Sequence, residues 1–159
     1  MLSLDIATDH LERALNFRKK RRGDFDVEVA STLHLLGIVH LKKGPEHIDD
    51  ALDALKAAFD TRKDLLFPNH IDLGETIGLL GKAHLSRREG DDLSHALGAF
   101  TEALRIQERA RDALSEDDDS SDLCWKVASS ESSIGECHFL QGDMPAAREA
   151  FQRSFAELV

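Results

Sequence analysis

The chain has no tyrosine, a single tryptophan and only 6 % aromatic residues, although it is 159 residues long. Strands are usually rich in aromatic and β-branched side chains, so this scarcity argues against a sheet protein. Only three prolines are present, whereas disordered chains are often rich in proline. Alanine, leucine and charged residues recur throughout, which predicts an all-α protein long enough to bury a core.

Positive charge is also scarce: 20 basic residues stand against 30 acidic ones, for a formal charge of −10. Nucleic acids and anionic membrane surfaces attract cationic proteins. We therefore expect protein partners, no nucleic acid and no direct membrane insertion. No apolar run approaches the roughly 18 residues of a membrane span, and Asp5 and Asp9 interrupt the region where a secretory signal needs apolar residues.

Cysteine is limited to Cys124 and Cys137, thirteen residues apart on one predicted helix. At 1.5 Å per residue they lie roughly 20 Å apart along the axis, too far for a disulfide. Two unpaired thiols fit a reducing compartment. We expect a soluble, cytoplasmic protein.

What the sequence does contain is a pair of motifs that returns along the chain. The first motif is Leu33, Leu36, Gly37 and His40; then Ile77, Leu80, Gly81 and His84; then Glu131, Ile134, Gly135 and His138. The second is Ala51, Leu55 and Ala58; then Ala96, Phe100 and Ala103; then Ala147, Phe151 and Ser154; an orphan copy, Ala7, Leu11 and Ala14, precedes them all. Ala14, Ala58 and Ala103 are 44 and 45 residues apart, and such a period indicates a stacked array.

Each motif gathers its small and apolar residues on one side of a helix. The repeats are therefore pairs of helices, which we call A for the first and B for the second. We expect glycine to recur at this position because the two helices of a pair cross closely there and leave no room for a side chain. The recurring alanines should face it from helix B.

These positions resemble the tetratricopeptide repeat (TPR), whose pattern runs through Leu-Gly, an aromatic residue and then Ala, Phe and Ala. The long period and the phrase Val29, Ala30, Thr32 and Leu33 resemble the kinesin-light-chain variety. Histidine replaces the usual aromatic residue in all three copies. The resemblance implies an α-solenoid of antiparallel helix pairs, a TPR-like right-handed superhelix of about seven helices.

The motifs and punctuating Gly and Pro residues divide this single array over residues 1–159. We expect a lone leading B helix at 1–22, repeat 1 at 26–66, repeat 2 at 70–114, an acidic linker at 115–122 and a degenerate repeat 3 at 123–158. Glu131 stands where repeat 3 should have a large apolar residue, so we expect that repeat to pack poorly or to meet another molecule. Because the ends are uncapped B helices, we expect a part of a longer chain or complex.

Catalytic and metal chemistry find no support in the spacing of the reactive residues. His40, His84 and His138 fall one to a repeat, whereas metal ligands lie within about 2.1 Å of one ion. We predict that they are buried between the helices of their own repeats and bind no metal. GETIGLLGK, residues 74–82, lacks the glycine and hydroxyl residue of a phosphate loop. No nucleophile and base are paired by spacing, so we predict no enzyme and no cofactor.

In the TPR family the A helices line the concave face, which implies partner-binding residues on the side of each A helix away from the Leu-Gly stripe. They are Ser31, His34, Ile38 and Lys42; Glu75, Gly78, Lys82 and Ser86; Ser129, Ser132, Glu136 and Phe139. Lys42 and Lys82 form a local positive spot, so we expect an acidic peptide or helix to bind across the first two repeats, over His34, Ile38, Gly78 and Lys82. Gly78 would either admit the partner's backbone or relieve crowding between A helices.

Two functions remain open from the sequence. The first is a non-catalytic interaction module, scaffold or adaptor that holds a segment of another protein on its concave face. The alternative is a structural subunit or fragment packed permanently into a large assembly. Either way, helix A of repeat 1 is apolar nearly all round, so we expect it to be the most buried element of the chain.

Overall fold

The computed structural model describes residues 2–115 and 119–159, and within these ranges it contains seven α-helices, one short 3-10 helix and no strand. The α-helices are α1 (Leu2–Arg22), α2 (Val27–Lys43), α3 (Ile48–Leu65), α4 (Ile71–Arg87), α5 (Asp92–Asp112), α6 (Ser121–Gln141) and α7 (Met144–Ala156); the 3-10 helix is Pro45–His47. The predicted acidic linker falls partly on residues 116–118, outside the described residues, and α6 begins within its last two positions. None of the described helices is both long enough and apolar enough to cross a membrane.

The chain divides into two compact units that meet in sequence between Pro68 and Asn69. The first unit contains α1, α2 and α3, and α2 packs against both of the others. Its core includes Val29 and Ala30 of α2 and Leu52 and Leu55 of α3. The basic run at residues 18–22 forms the last turn of α1, where cations favour the negative end of the helix.

The second unit contains α4 to α7, in which α5 packs against α4 and α6, and α6 packs against α5 and α7. One buried cluster joins the four helices: Leu85, Ala96, Phe100, Ile134, Cys137 and Ala150. Glu131 is also buried, and the Nε atom of Arg153 on α7 donates a hydrogen bond to it at 2.9 Å. Repeat 3 therefore contains a hydrogen-bonded ion pair at the position where the other repeats have an apolar residue.

The recurring glycines lie at the closest crossings of the helix pairs, as predicted. A Cβ atom added to Gly37 would stand 2.4 Å from Cγ of Leu55, and one added to Gly81 would stand 2.9 Å from the ring of Phe100. The third copy has the same arrangement between Gly135 and the ring of Phe151, at 2.8 Å. These distances are shorter than any van der Waals contact, so each crossing depends on the missing side chain.

The helix ends follow ordinary capping chemistry. Asp26 accepts a hydrogen bond from the backbone N–H of Glu28 at the start of α2, and Asp143 accepts one from Ala146 at the start of α7. Gly142 ends α6 with a φ of 82°, in the left-handed region that glycine adopts without strain.

The expectation that helix A of repeat 1 is the most buried element is wrong. Val27 and Leu35 of α2 are 41 % and 47 % exposed. Six of the 17 residues of α2 are buried, against seven of 17 in α4. The apolar residues of α2 extend around the helix, but its neighbours do not cover every side.

Candidate partner-binding surface

The first unit places one predicted site residue in its interior. His34 of α2 is only 9 % exposed, and its Nδ1 atom lies 3.2 Å from Nη1 of Arg62 on α3. Arg62 is itself buried, and its Nη2 atom lies 3.5 Å from Oγ of Ser31. This polar contact joins helix B to helix A. His34 therefore contributes to helix packing and offers little surface to a partner.

The other predicted residues of α2 are more accessible. Lys42 is exposed and Ile38 is half-buried. They lie four residues apart, and therefore on the same side of the helix. In this unit the accessible part of the predicted face consists of these two side chains and the half-buried Ser31.

In the second unit, two ion pairs join the A helices of repeats 2 and 3. Glu75 of α4 lies 2.9 Å from Nζ of Lys126 on α6, and Arg88, directly after α4, lies 3.9 Å from Glu136 on α6. The first pair is near the start of both helices and the second near their ends, so α4 and α6 run side by side in the same direction. Two predicted residues, Glu75 and Glu136, are thereby brought to one surface. These pairs are partly exposed and each stabilises the fold by about 1 kcal/mol at most.

The remaining predicted residues of α4 differ in accessibility. Lys82 and Ser86 are exposed. Gly78 is half-buried, and a Cβ atom added to it would stand 3.7 Å from Cβ of Ala103 on α5. Gly78 is therefore directed toward helix B of its own repeat.

A continuous stripe on α6 carries the most accessible apolar surface of the predicted face. Trp125, Ser129, Ser132, Glu136 and Phe139 follow one another at spacings of three and four residues, and Trp125 and Phe139 are 63 % and 54 % exposed. A cleft of about 270 Å³ opens beside the upstream half of the stripe. Its lining is Trp125, Ala128, Ser129, Ser132, Ser133, Ser154 and Leu158.

Trp125 was absent from the sequence-based set, which began at Ser129. The signal was available, because Trp125 is four residues before Ser129 and so lies on the same side of the helix. The acidic linker predicted to run to residue 122 would place Trp125 in the first turn of helix A. The described helix begins at Ser121, so Trp125 occupies its second turn.

The turns inside the first two repeats each gather two histidines and an aspartate. In repeat 1 these are His40, His47 and Asp50, and in repeat 2 they are His84, Asp92 and His95. The side chains of His40 and His84 are 13 % and 14 % exposed, in line with the predicted burial at the ends of the A helices. Burial lowers the pKa of His40, although Asp50 acts in the opposite direction.

Asp92 is the most heavily bonded carboxylate of this region. It accepts hydrogen bonds from Nε and Nη2 of Arg87 at 2.8 and 2.9 Å and from the backbone N–H of Glu89 at 2.9 Å, and its Oδ1 lies 2.7 Å from Nδ1 of His84. The Arg87 guanidinium holds the pKa of Asp92 far below its usual range, against the opposing effect of burial. The carboxylate therefore stays ionised in the interior.

The two cysteines are unpaired, as their spacing predicted. Cys137 is buried in the core of the second unit, and burial raises the pKa of its thiol to about 11. Since the thiolate is the reactive form, this thiol is unreactive near neutral pH.

No protein-family model and no curated protein matches the chain. Solved structures do. BtubC (BKLC) from P. vanneervenii matches with a TM-score of 0.81 at 18 % identity, over 98 % of this chain and 56 % of that one. A Podosopora anserina protein, whose name refers to kinesin light chain and nearly identical TPR-like repeats, matches with a TM-score of 0.70 at 14 % identity, over 98 % of this chain and 67 % of that one.

This chain thus spans little more than half the length of the BtubC structure. Structural matches at sequence identities this low show the fold alone. The resemblance to the kinesin-light-chain variety of TPR and the predicted fold class are both confirmed: the chain has the fold of TPR-like repeat proteins, an all-α helical-repeat solenoid.

Proposed function

We propose that the chain is a non-catalytic interaction module that holds an extended or helical segment of a partner protein on the exposed side of its A helices, with α6 of the second unit as the main contact. The observation that carries the proposal is the exposed stripe on α6, where two aromatic side chains flank small serines beside a cleft. Exposed aromatic side chains are enriched at protein-binding surfaces, where they act as anchors. TPR-like and related solenoids use such extended surfaces to bind other proteins.

The charges on the same side of the second unit favour acidic groups on the partner. Lys82 of α4 is exposed, and α4 runs beside α6. The side chain of Arg88 is about half exposed beside Glu136. A partner that places its apolar residues at Trp125 and Phe139 could place a carboxylate at Lys82. Lys42 supplies a comparable exposed cation in the first unit.

The test is quantitative affinity capture from a cell extract with the intact chain, followed by mass spectrometry. Trp125→Ala and Ser132→Arg should remove the same set of captured proteins, because one deletes an apolar anchor and the other fills the cleft. Lys82→Glu should weaken capture by charge repulsion. Phe67→Ala is the matched control, since Phe67 is an even more exposed aromatic residue in the loop after α3, in the first unit.

The expected result is a partner set lost in the α6 variants and retained in Phe67→Ala, with unchanged helical content by circular dichroism. Capture at the wild-type level by folded Trp125→Ala and Ser132→Arg would show that the α6 face is not the site. Turnover of a substrate by the purified chain would overturn the non-catalytic assignment.

A second candidate function, a structural subunit of a larger assembly, is favoured by one observation on α7. Met144, Phe155 and Leu158 are more than half exposed along and just after this last helix, and exposed apolar clusters mark interaction surfaces. A subunit of this kind should aggregate or form oligomers when purified alone, whereas the proposed module should behave as a soluble monomer in light scattering. Phe155→Ser should restore monomeric behaviour only in the first case.

A further inference from the structure

The histidine and aspartate clusters of repeats 1 and 2 use the same three positions with two residues exchanged. His40 and His84 are equivalent at the end of helix A. When the B helices are aligned on their alanines, His47 falls at the position of Asp92 and Asp50 at that of His95. Each turn therefore keeps two histidines and one aspartate although the order is reversed, and in each the potential ligand atoms lie within 4.8 Å of one another.

In the cluster of repeat 2, the aspartate is already hydrogen-bonded to other groups of the same turn. Both carboxylate oxygens of Asp92 are occupied by Arg87, with His84 and a backbone N–H completing the set. A divalent cation there would have to displace the guanidinium or accept its positive charge at close range. This arrangement excludes Asp92 as a ready metal ligand.

The cluster of repeat 1 is arranged differently. Nδ1 of His47 lies 3.1 Å from Oδ2 of Asp50, and Nδ1 of His40 lies 4.0 Å from the same oxygen. Among the described residues, this buried Nδ1 atom of His40 has no hydrogen-bond partner. A buried ring nitrogen without a partner is costly, and a metal ion would satisfy it.

The cation of repeat 1 at the position of Arg87 is paired with a different carboxylate. Lys43 is equivalent to Arg87, but its Nζ atom lies 2.7 Å from Oδ1 of Asp5 on α1. Asp50 therefore keeps an exposed carboxylate oriented toward two imidazoles and not toward a guanidinium.

We propose that His40, His47 and Asp50 bind a divalent transition-metal ion of the zinc class in the turn between α2 and α3. Imidazole nitrogens and a carboxylate oxygen are the ligands such ions favour, and three protein ligands leave a position for water. Bonds of about 2.1 Å place tetrahedral ligand atoms about 3.4 Å apart, compared with 3.1 and 4.0 Å for the two histidine–aspartate pairs. His47 belongs to the short 3-10 helix Pro45–His47, which contains no buried residue.

This proposal reverses the sequence-based prediction that His40 binds no metal, which rested on histidines spaced one to a repeat. Ligands drawn from different repeats cannot share an ion, whereas these three come from one turn. Repeat 3 lacks the set: the positions equivalent to His84, Asp92 and His95 are His138, Asp143 and Ala146, and Asp143 instead caps α7. The proposal is independent of the partner-binding function.

The test is titration of the intact, chelator-treated chain with Zn²⁺, followed by calorimetry, with Co²⁺ as a spectroscopic probe of nitrogen and oxygen ligation. We expect one ion per chain and a higher midpoint of thermal unfolding with Zn²⁺ present. His47→Gln and Asp50→Asn should each weaken binding by about 100-fold or more, since loss of even an outer partner of a metal ligand costs 10- to 100-fold. Both residues lie outside the core, so these variants should fold.

Two control variants match these changes. His95→Gln alters the equivalent cluster of repeat 2, and Asp53→Asn neutralises an exposed carboxylate three residues after Asp50 on the same helix. Both should bind Zn²⁺ as the wild type does. The proposal is overturned if the wild-type chain shows no saturable binding, if His47→Gln and Asp50→Asn bind normally, or if His95→Gln is the variant that loses the ion.

Discussion

The α2–α3 turn of repeat 1 and the α4–α5 turn of repeat 2 each contain two histidines and one aspartate at three equivalent positions, with histidine and aspartate exchanged at two of them, and they use these residues differently. In repeat 2 the arginine that ends helix A binds Asp92, and the carboxylate becomes a buried structural anchor. In repeat 1 the corresponding Lys43 pairs with Asp5 of α1, and Asp50 remains at the surface. The two aspartates therefore differ both in their position in the turn and in their partners, because the residue equivalent to Arg87 in repeat 1 is paired with α1 instead.

The largest expected effect on stability comes from neutralising Asp92, and the same change at Asp50 provides the comparison. Asp92→Asn should cost about 3 kcal/mol of unfolding free energy, because Arg87 is left without its buried partner; partial exposure of Arg87 puts the loss at the lower end of the usual range. Asp50→Asn should change the stability by less than about 0.5 kcal/mol in the absence of metal. Urea denaturation followed by circular dichroism measures both.

Equal losses in the two variants would contradict the comparison, since they would mean that the two carboxylates have the same structural role. Arg87→Lys is a useful companion to Asp92→Asn. It keeps the charge but not the two-pronged hydrogen bonding, so an intermediate loss would show how much of the effect depends on geometry.

The next prediction follows from the depressed pKa of Asp92. A carboxyl group whose pKa is lower in the folded state contributes stability that is fully present above its unfolded pKa of about 3.9 and is lost as the pH falls through the folded value. The stability difference between the wild type and Asp92→Asn should therefore shrink as the pH is lowered from 6 toward 3. A difference that stays constant over this range would show that the ionised form of Asp92 is not what stabilises the turn.

A smaller loss of stability is expected when a methyl group is added at a helix crossing, and the loss should differ between the crossings of repeats 1 and 2. Gly37→Ala places a methyl group 2.4 Å from Cγ of Leu55, and Gly81→Ala places one 2.9 Å from the ring of Phe100. We expect a loss of about 1 to 2 kcal/mol for Gly37→Ala, from overpacking partly offset by the better helix propensity of alanine. The loss for Gly81→Ala should be smaller, because the overlap is smaller.

Combining Gly37→Ala with Leu55→Ala provides the control in a double-mutant cycle. If the clash is the cause, the methyl group at position 37 should cost little once Leu55 is shortened. An unchanged cost would mean that Gly37 is required for another reason, such as the backbone of α2.

The repeat motif was enough to predict these crossings from sequence, because a small residue that recurs opposite a recurring side chain has a simple steric explanation. The number and order of the helices followed from the same period. The position of His34 did not. Its spacing places it away from the Leu-Gly stripe, but Arg62, 28 residues later on α3, reaches it and encloses it. When a long side chain from another helix covers a residue, the sequence around that residue shows no periodic pattern that would reveal it.

The turn clusters were missed for a related reason. Each draws one residue from the end of helix A and two from the region where helix B begins, so the contacts depend on the path of the intervening loop. The turn at residues 44–50 contains the 3-10 helix Pro45–His47, which the sequence did not indicate. The exchange of histidine and aspartate between the repeats also hid the equivalence, since no single residue type recurs at either position.

The smallest expected effect concerns the A-helix position that carries His34 in repeat 1 and Gly78 in repeat 2. A methyl group on Gly78 would meet Cβ of Ala103 at 3.7 Å, an ordinary van der Waals distance, so crowding within the repeat does not require glycine there. Gly78→Ala should therefore stabilise the chain by about 0.5 to 1 kcal/mol, the usual gain from alanine in a helix interior. Gly98→Ala is the matched control, because Gly98 lies within α5 with no atom within 4 Å of an added Cβ, and similar gains would show that the new methyl group at position 78 costs nothing in packing. A destabilised Gly78→Ala would mean that α4 and α5 are closer than described, and a folded Gly78→Ala that loses its captured partners would return Gly78 to the binding surface that the sequence assigned to it.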